Sequence, residues 1–122
     1  MTTSTTAANA ETLPTVTVFS KNDCSRCDAT EAKFIKAGVP FREINVEEDT
    51  EPRAEFGNKT ALEHVVERYG RTMPVVVVEN GVWDDHWSSL RPDKVLELIA
   101  LFEKQGATIP AGERAAHKTN NL

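Results

Sequence analysis

Cys24 and Cys27 are the only cysteines in the chain, and two residues, Ser25 and Arg26, separate them. They follow an apolar β-like run, Val16-Thr17-Val18-Phe19, and open a helix-like stretch. A dithiol at a strand-to-helix turn is suited to disulfide exchange. A helix N-terminus offers free backbone N–H groups and the positive end of the peptide dipole. Both favour the thiolate, which is the nucleophile. The spacer lets the second sulfur reach the first without unwinding the helix. Cys24, nearer the loop, is expected to attack. Cys27, inside the first turn and partly buried, is expected to resolve the mixed disulfide. Lys21 and Arg26 bracket Cys24 and favour its thiolate, whereas Asp23 opposes it. A zinc site needs two ligands beyond the two sulfurs, and only His64 and His86 offer nitrogen in the central part of the chain. No metal or bound cofactor is expected, and no Gly-rich phosphate loop is present.

The surroundings bound the class. The chain has 122 residues, net charge −5 and no basic run, which disfavours nucleic acid. It has no apolar stretch long enough to span a membrane, and no signal or transit peptide is apparent at its start. The expected compartment is the cytoplasm, where a disulfide is usually catalytic or sensing. Residues 1–14, rich in Thr and Ala, and residues 106–122, with Gly, Pro and paired Asn, read as flexible tails around a domain at 15–105. A monomer is expected.

The elements that must position the dithiol follow from patterning. Thr15–Ser20 alternates and is rich in β-branched residues, a strand. A helix runs from Cys24 to about Ala37, with Phe34 and Ile35 on its apolar side, and stops at Gly38. Phe41–Val46 is a second strand, and Glu47-Glu48-Asp49 reads as a solvated acidic loop. A helical region breaks at Gly57-Asn58. Thr60 and Glu63 then fit a capping box, and Leu62, Val65, Val66 and Tyr69 form one buried face. Val75–Val78 is continuous and apolar, so that strand is expected to be covered on both faces. Asn80-Gly81 signals a hairpin to a partner strand at Val82–His86. Pro92 opens the last helix, whose core stripe is Val95, Leu98, Ile99 and Phe102. Trp83 and Trp87 both fit core or half-core aromatics, Trp83 the better of the two. The order is β-α-β-α-β-β-α: an α/β domain with a four-stranded mixed sheet flanked by helices.

This order, with Cys-x-x-Cys after the first strand and a Pro opening the third, resembles the thioredoxin-like fold in its glutaredoxin form. Three segments resemble NrdH-redoxins in particular: Val18 to Cys27, Thr72 to Val77, and Asp84 to Asp93, the last against a W-S-G-F-R-P signature. The resemblance covers about residues 15 to 103. It implies a cis peptide at Pro74, with the Met73 backbone pairing to an extended substrate and Thr72 nearby. It implies that Trp87, Ser88, Ser89 and Arg91 lie on a partner-facing loop, braced to the turn ahead of the second helix. The chain departs from the pattern in its spacer Ser25-Arg26, in Ser89 where the family has Gly, in Leu90 where it has Phe, and in a longer stretch from Glu47 to Met73.

The resemblance further implies a dithiol-disulfide oxidoreductase that donates electrons to ribonucleotide reductase. It would be recharged by NADPH through a flavin-dependent thioredoxin reductase. Glutathione-using glutaredoxins place an acidic residue after Gly-Gly to hold the γ-glutamyl ammonium, where this chain has Ser-Ser-Leu-Arg; Arg91 cannot accept from an ammonium. Asp93 is a candidate substitute for that contact, in a distorted position, which keeps glutathione open. A glutathione- or mycothiol-linked glutaredoxin is therefore the alternative within the class, and a non-catalytic redox-sensing adaptor is the alternative outside it.

Overall fold

The computed structural model describes residues 14–79 and 84–109, and the backbone of 118–120. The elements in chain order are β1 (Thr15–Ser20), α1 (Ser25–Ala37), β2 (Phe41–Asn45), a 3-10 turn at Ala54–Phe56, α2 (Ala61–Arg68), β3 (Val75–Glu79), β4 (Asp85–Ser88), α3 (Pro92–Lys104) and β5 (Lys118–Asn120). The four expected strands lie in the order β4-β3-β1-β2, and β5 extends the sheet beyond β2. β1 and β2 are parallel, as a helical crossover requires, while β3 is antiparallel to both β1 and β4.

Alternation along the strands divides the interior in two. Val16 and Val18 of β1 and Val76 and Val78 of β3 join Phe34 of α1 and Val95, Leu98 and Phe102 of α3 on one face. Phe19, Ile44, Val75 and Val77 join Phe56, Ala61 and Val65 on the other. The valine run of β3 is thus covered on both sides, as its unbroken apolar character predicts. Burying one such side chain is worth roughly 1.5–3 kcal/mol, against about 0–1 for a surface ion pair, so this sandwich dominates the stability.

Local signals end the helices where expected. Gly38 takes φ 79° after α1, and the N–H groups of Gly38 and Val39 close on the carbonyls of Ile35 and Phe34. Gly57 and Asn58 take φ 67° after the 3-10 turn. The Thr60–Glu63 capping box is formed in both directions.

Three expectations shift. The buried face of α2 is Ala61 and Val65, whereas Leu62 is 39% exposed and Val66 and Tyr69 are half-buried. Ala61 and Val65, one turn apart, join the cluster of Phe19 and Val75, and Leu62, about 100° further round the helix, therefore faces outward. β4 is described over Asp85–Ser88 and so ends later than the sequence suggests, which puts Trp87 and Ser88 in a strand. The expected turn at Asn80-Gly81, the strand start at Val82 and the core placement of Trp83 lie outside the described residues, as does most of the N-terminal tail. The segment placed in the C-terminal tail packs in part. Gly106 (φ 68°) reverses the chain after α3, Ala107 packs on the core, and buried Ile109 donates its N–H to the Gly38 carbonyl at 2.7 Å. Lys118–Asn120 pairs in parallel with Phe41–Glu43. Single apolar residues among polar ones carry no periodicity, so the sequence alone shows none of this.

Candidate functional site

The loop from β1 to α1 carries the chemistry. Its path is fixed from β2: the Asn22 N–H donates to Glu47 Oε1 at 3.1 Å, Asn45 Nδ2 donates to Asn22 Oδ1 at 3.0 Å, and the Val46 N–H donates to the Ser20 carbonyl at 2.8 Å. Asp23 then takes φ 54°, a conformation that Asp tolerates better than most residues. The acidic run read as solvated is therefore partly structural, since Glu47 holds the loop and Asp49 accepts from Arg53. Asn22, Asn45 and Glu47 are positioning residues that sequence reasoning missed. Nothing short of their spatial juxtaposition marks them.

Cys24 is the N-cap of α1. Its Sγ accepts the Cys27 N–H at 3.1 Å, where Ser or Asp oxygens usually cap helices. Cys24 and Cys27 are joined by a disulfide with a Cα–Cα distance of 5.2 Å. Cys24 is 8% exposed and Cys27 1%, so the sulfur expected to attack is the more accessible one. Both pack in the cluster that holds Met73, which brings the dithiol against the segment opening β3. The Met73–Pro74 peptide is cis, as the resemblance implies. Thr72 is exposed beside it, while Met73 and Pro74 are buried.

The remaining residues divide. The register sets Ser88 opposite Val75, and the next residue, Ser89, donates its N–H to the Pro74 carbonyl at 2.8 Å. Arg26 Nη1 donates to Ser89 Oγ at 3.5 Å. The brace expected toward the turn ahead of the second helix thus runs, among the described residues, to Pro74 and Arg26. Trp87 is only 6% exposed and sits in the larger core cluster, which is the core reading of this residue. Its register opposite Val76 turns it inward with the valines. Lys21 is exposed, and its ammonium makes no hydrogen bond or ion pair among the described residues. Arg91 takes the N-cap position of α3 without a side-chain cap bond and grips Asp93 with Nε at 3.1 Å and Nη2 at 2.9 Å. That grip holds the Asp93 carboxyl at about 2, below its ordinary 3.8. No group of three or more His, Cys, Asp or Glu able to hold a metal occurs among the described residues. No described helix is long and apolar enough to cross a membrane.

A helix-capping cysteine bridged to a buried one in the first turn of the same helix, beside a cis-proline, is an arrangement able to exchange disulfides. Comparison with known proteins points the same way. The glutaredoxin family model matches residues 16–83. The glutaredoxin-like protein NrdH of Escherichia coli K12 is 31% identical over 83 residues, which span 68% of this chain and 86% of that protein. Its counterpart in Lactococcus lactis subsp. cremoris is 30% identical over 83 residues, spanning 68% of this chain and 97% of that protein. The solved structure of the Escherichia coli NrdH-redoxin, described by its thioredoxin-like activity profile, aligns with a TM-score of 0.52 and 31% identity, covering 68% of this chain and 92% of that one. The chain therefore belongs to the glutaredoxin family, as an NrdH-like thiol-disulfide oxidoreductase whose Cys-x-x-Cys pair is Cys24 and Cys27.

Proposed function

We propose that this protein is a cytoplasmic monomer that reduces protein disulfides, with ribonucleotide reductase as its main partner. In this reading NADPH recharges it through a flavin-dependent thioredoxin reductase. The observation that carries the reading is the Cys24 sulfur at the head of α1, facing the Cys27 N–H at 3.1 Å. In the reduced protein that N–H and the helix dipole face a thiolate and stabilise it.

The cycle balances on these two sulfurs. Cys24 thiolate attacks one sulfur of the partner's disulfide, and the partner's other sulfur leaves as a thiolate and takes a proton. Cys27 gives up its proton and attacks Cys24 Sγ. That step releases the second partner sulfur and forms the Cys24–Cys27 bridge. Two electrons and two protons have then reached the partner. NADPH and one proton, delivered through the reductase's flavin, restore both thiols. The chain itself binds no cofactor in this scheme. Met73, Thr72 and Pro74 line the path of the partner's extended chain, with Ser88 and Ser89 as its opposite wall and Lys21 at its rim.

Two observations favour thioredoxin reductase over glutathione. The solved relative is described by a thioredoxin-like activity profile. Asp93, the acid nearest in sequence to where glutaredoxins hold the γ-glutamyl ammonium, has both oxygens engaged by Arg91. The test mixes oxidised protein and NADPH with either thioredoxin reductase or glutathione and its reductase. Rapid NADPH loss is expected in the first arm. Loss confined to the glutathione arm overturns the assignment. Disulfide trapping with Cys27→Ser in a host extract reads the partner, with ribonucleotide reductase the expected adduct.

A further inference from the structure

Ser89 holds a backbone conformation better suited to another residue. Its φ is 68°, in the left-handed region where a Cβ costs roughly 1 kcal/mol or more and glycine costs nothing. Glycine is the residue that the NrdH pattern has at this place. The Ser89 N–H bond to Pro74 is one that glycine would make equally well. What serine adds is a hydroxyl, and that hydroxyl accepts from Arg26 Nη1 at 3.5 Å. Arg26 is itself a departure from the family spacer. The two departures therefore meet, although 63 residues separate them in sequence.

The charge pattern gives this pair a meaning. The chain carries a net −5. Arg42, Arg53, Lys59, Arg91 and Lys94 each sit on a carboxylate. Arg26 is exposed, and its only hydrogen bond through the side chain among the described residues goes to a neutral hydroxyl. Its positive charge is uncancelled and tethered. The tether runs from the first turn of α1, one residue before Cys27, to a loop bonded to Pro74. The guanidinium thus reaches from the dithiol helix to Ser89, whose own N–H is bonded to the Pro74 carbonyl.

We propose that Ser89 is a positioning residue for Arg26, and that the pair selects protein disulfides with a carboxylate side chain beside the attacked cysteine. The inference rests on the protein-disulfide reductase reading above. A held guanidinium presents a planar fork that matches two carboxylate oxygens. At an exposed rim such a pair changes a rate by about twofold to fivefold, and salt screens it.

The test uses two peptides, each closed by an internal disulfide and differing only in Glu or Gln next to the attacked cysteine. Reduced protein is mixed with each, and second-order rate constants are measured. Their ratio cancels any effect on Cys24 nucleophilicity or on folding, because both peptides meet the same thiolate. The wild-type Glu:Gln ratio is expected at about three, falling toward one at about 0.5 M salt. Arg26→Gln should bring it to about one. Ser89→Gly, which suits the backbone but lacks the acceptor, should at least halve it. Ser89→Asn, which tolerates the left-handed conformation and restores an acceptor, should keep it. A wild-type ratio of one with both peptides reduced overturns the inference and leaves the reductase reading standing. An unchanged ratio in Ser89→Gly overturns the role of Ser89. Failure to reduce either peptide overturns the reductase reading itself.

Discussion

The sulfur of Cys24 accepts the backbone N–H of Cys27 at 3.1 Å, so the first cysteine caps the helix that carries the second. Redox chemistry and helix stability therefore meet in one atom. Cys24→Ser keeps a capping acceptor, and Cys24→Ala removes it. Under reducing conditions the Ala variant is expected to be about 1 kcal/mol less stable than the Ser variant by urea unfolding. Both variants lose disulfide turnover. Equal stability of the two would remove the capping role.

Ser89 carries a cost that its own position makes visible. With φ at 68° and its N–H on the Pro74 carbonyl, it meets the backbone requirements of a glycine. Ser89→Gly is expected to raise the unfolding free energy by about 1 kcal/mol, because the strain leaves and the backbone bond stays. The long hydroxyl contact to Arg26 is exposed and too weak to offset that gain. A lower urea midpoint in the glycine variant contradicts this.

His64 makes the stability depend on pH. Its ring stacks on Phe56 at 4.2 Å and lies 6.2 Å from Phe19. Burial there, reinforced by the Arg68 charge, pushes its pKa below the ordinary 6.5. The unfolded chain therefore takes up this proton at a higher pH than the folded one. Above about 6.5 the group contributes nothing, and below it stability declines until the folded ring also protonates. Unfolding free energy is expected to fall between pH 7 and pH 5, and less steeply in His64→Gln. An identical slope in wild type and variant would contradict the assignment.

Much of this was legible in residue order, and the gaps have physical causes. The valines of β3, the Gly38 stop and the Thr60–Glu63 box are local signals, each decided by residues a few positions apart, and the structure forms all three. The dithiol and the cis-proline were legible through their motifs. Trp87 and Ser88 fall on the loop in the sequence because the strand read there ends at His86, whereas β4 runs on to Ser88. Leu62 was misplaced because a shift of one residue rotates a helical face by about 100°, and only contact with the sheet decides which face wins. The Asn22–Asn45–Glu47 brace and the Arg26–Ser89 contact join residues far apart in sequence, which no local pattern encodes.

The account stands on Cys24 being ionised near neutral pH while Cys27 is not the first to react. The direct measurement is alkylation of the reduced protein by iodoacetamide across pH, with the labelled sulfur located by peptide mass spectrometry. The predicted result is label on Cys24 first, with a midpoint well below the ordinary thiol value of about 8.5. A midpoint at or above that value, or first modification at Cys27, would contradict it.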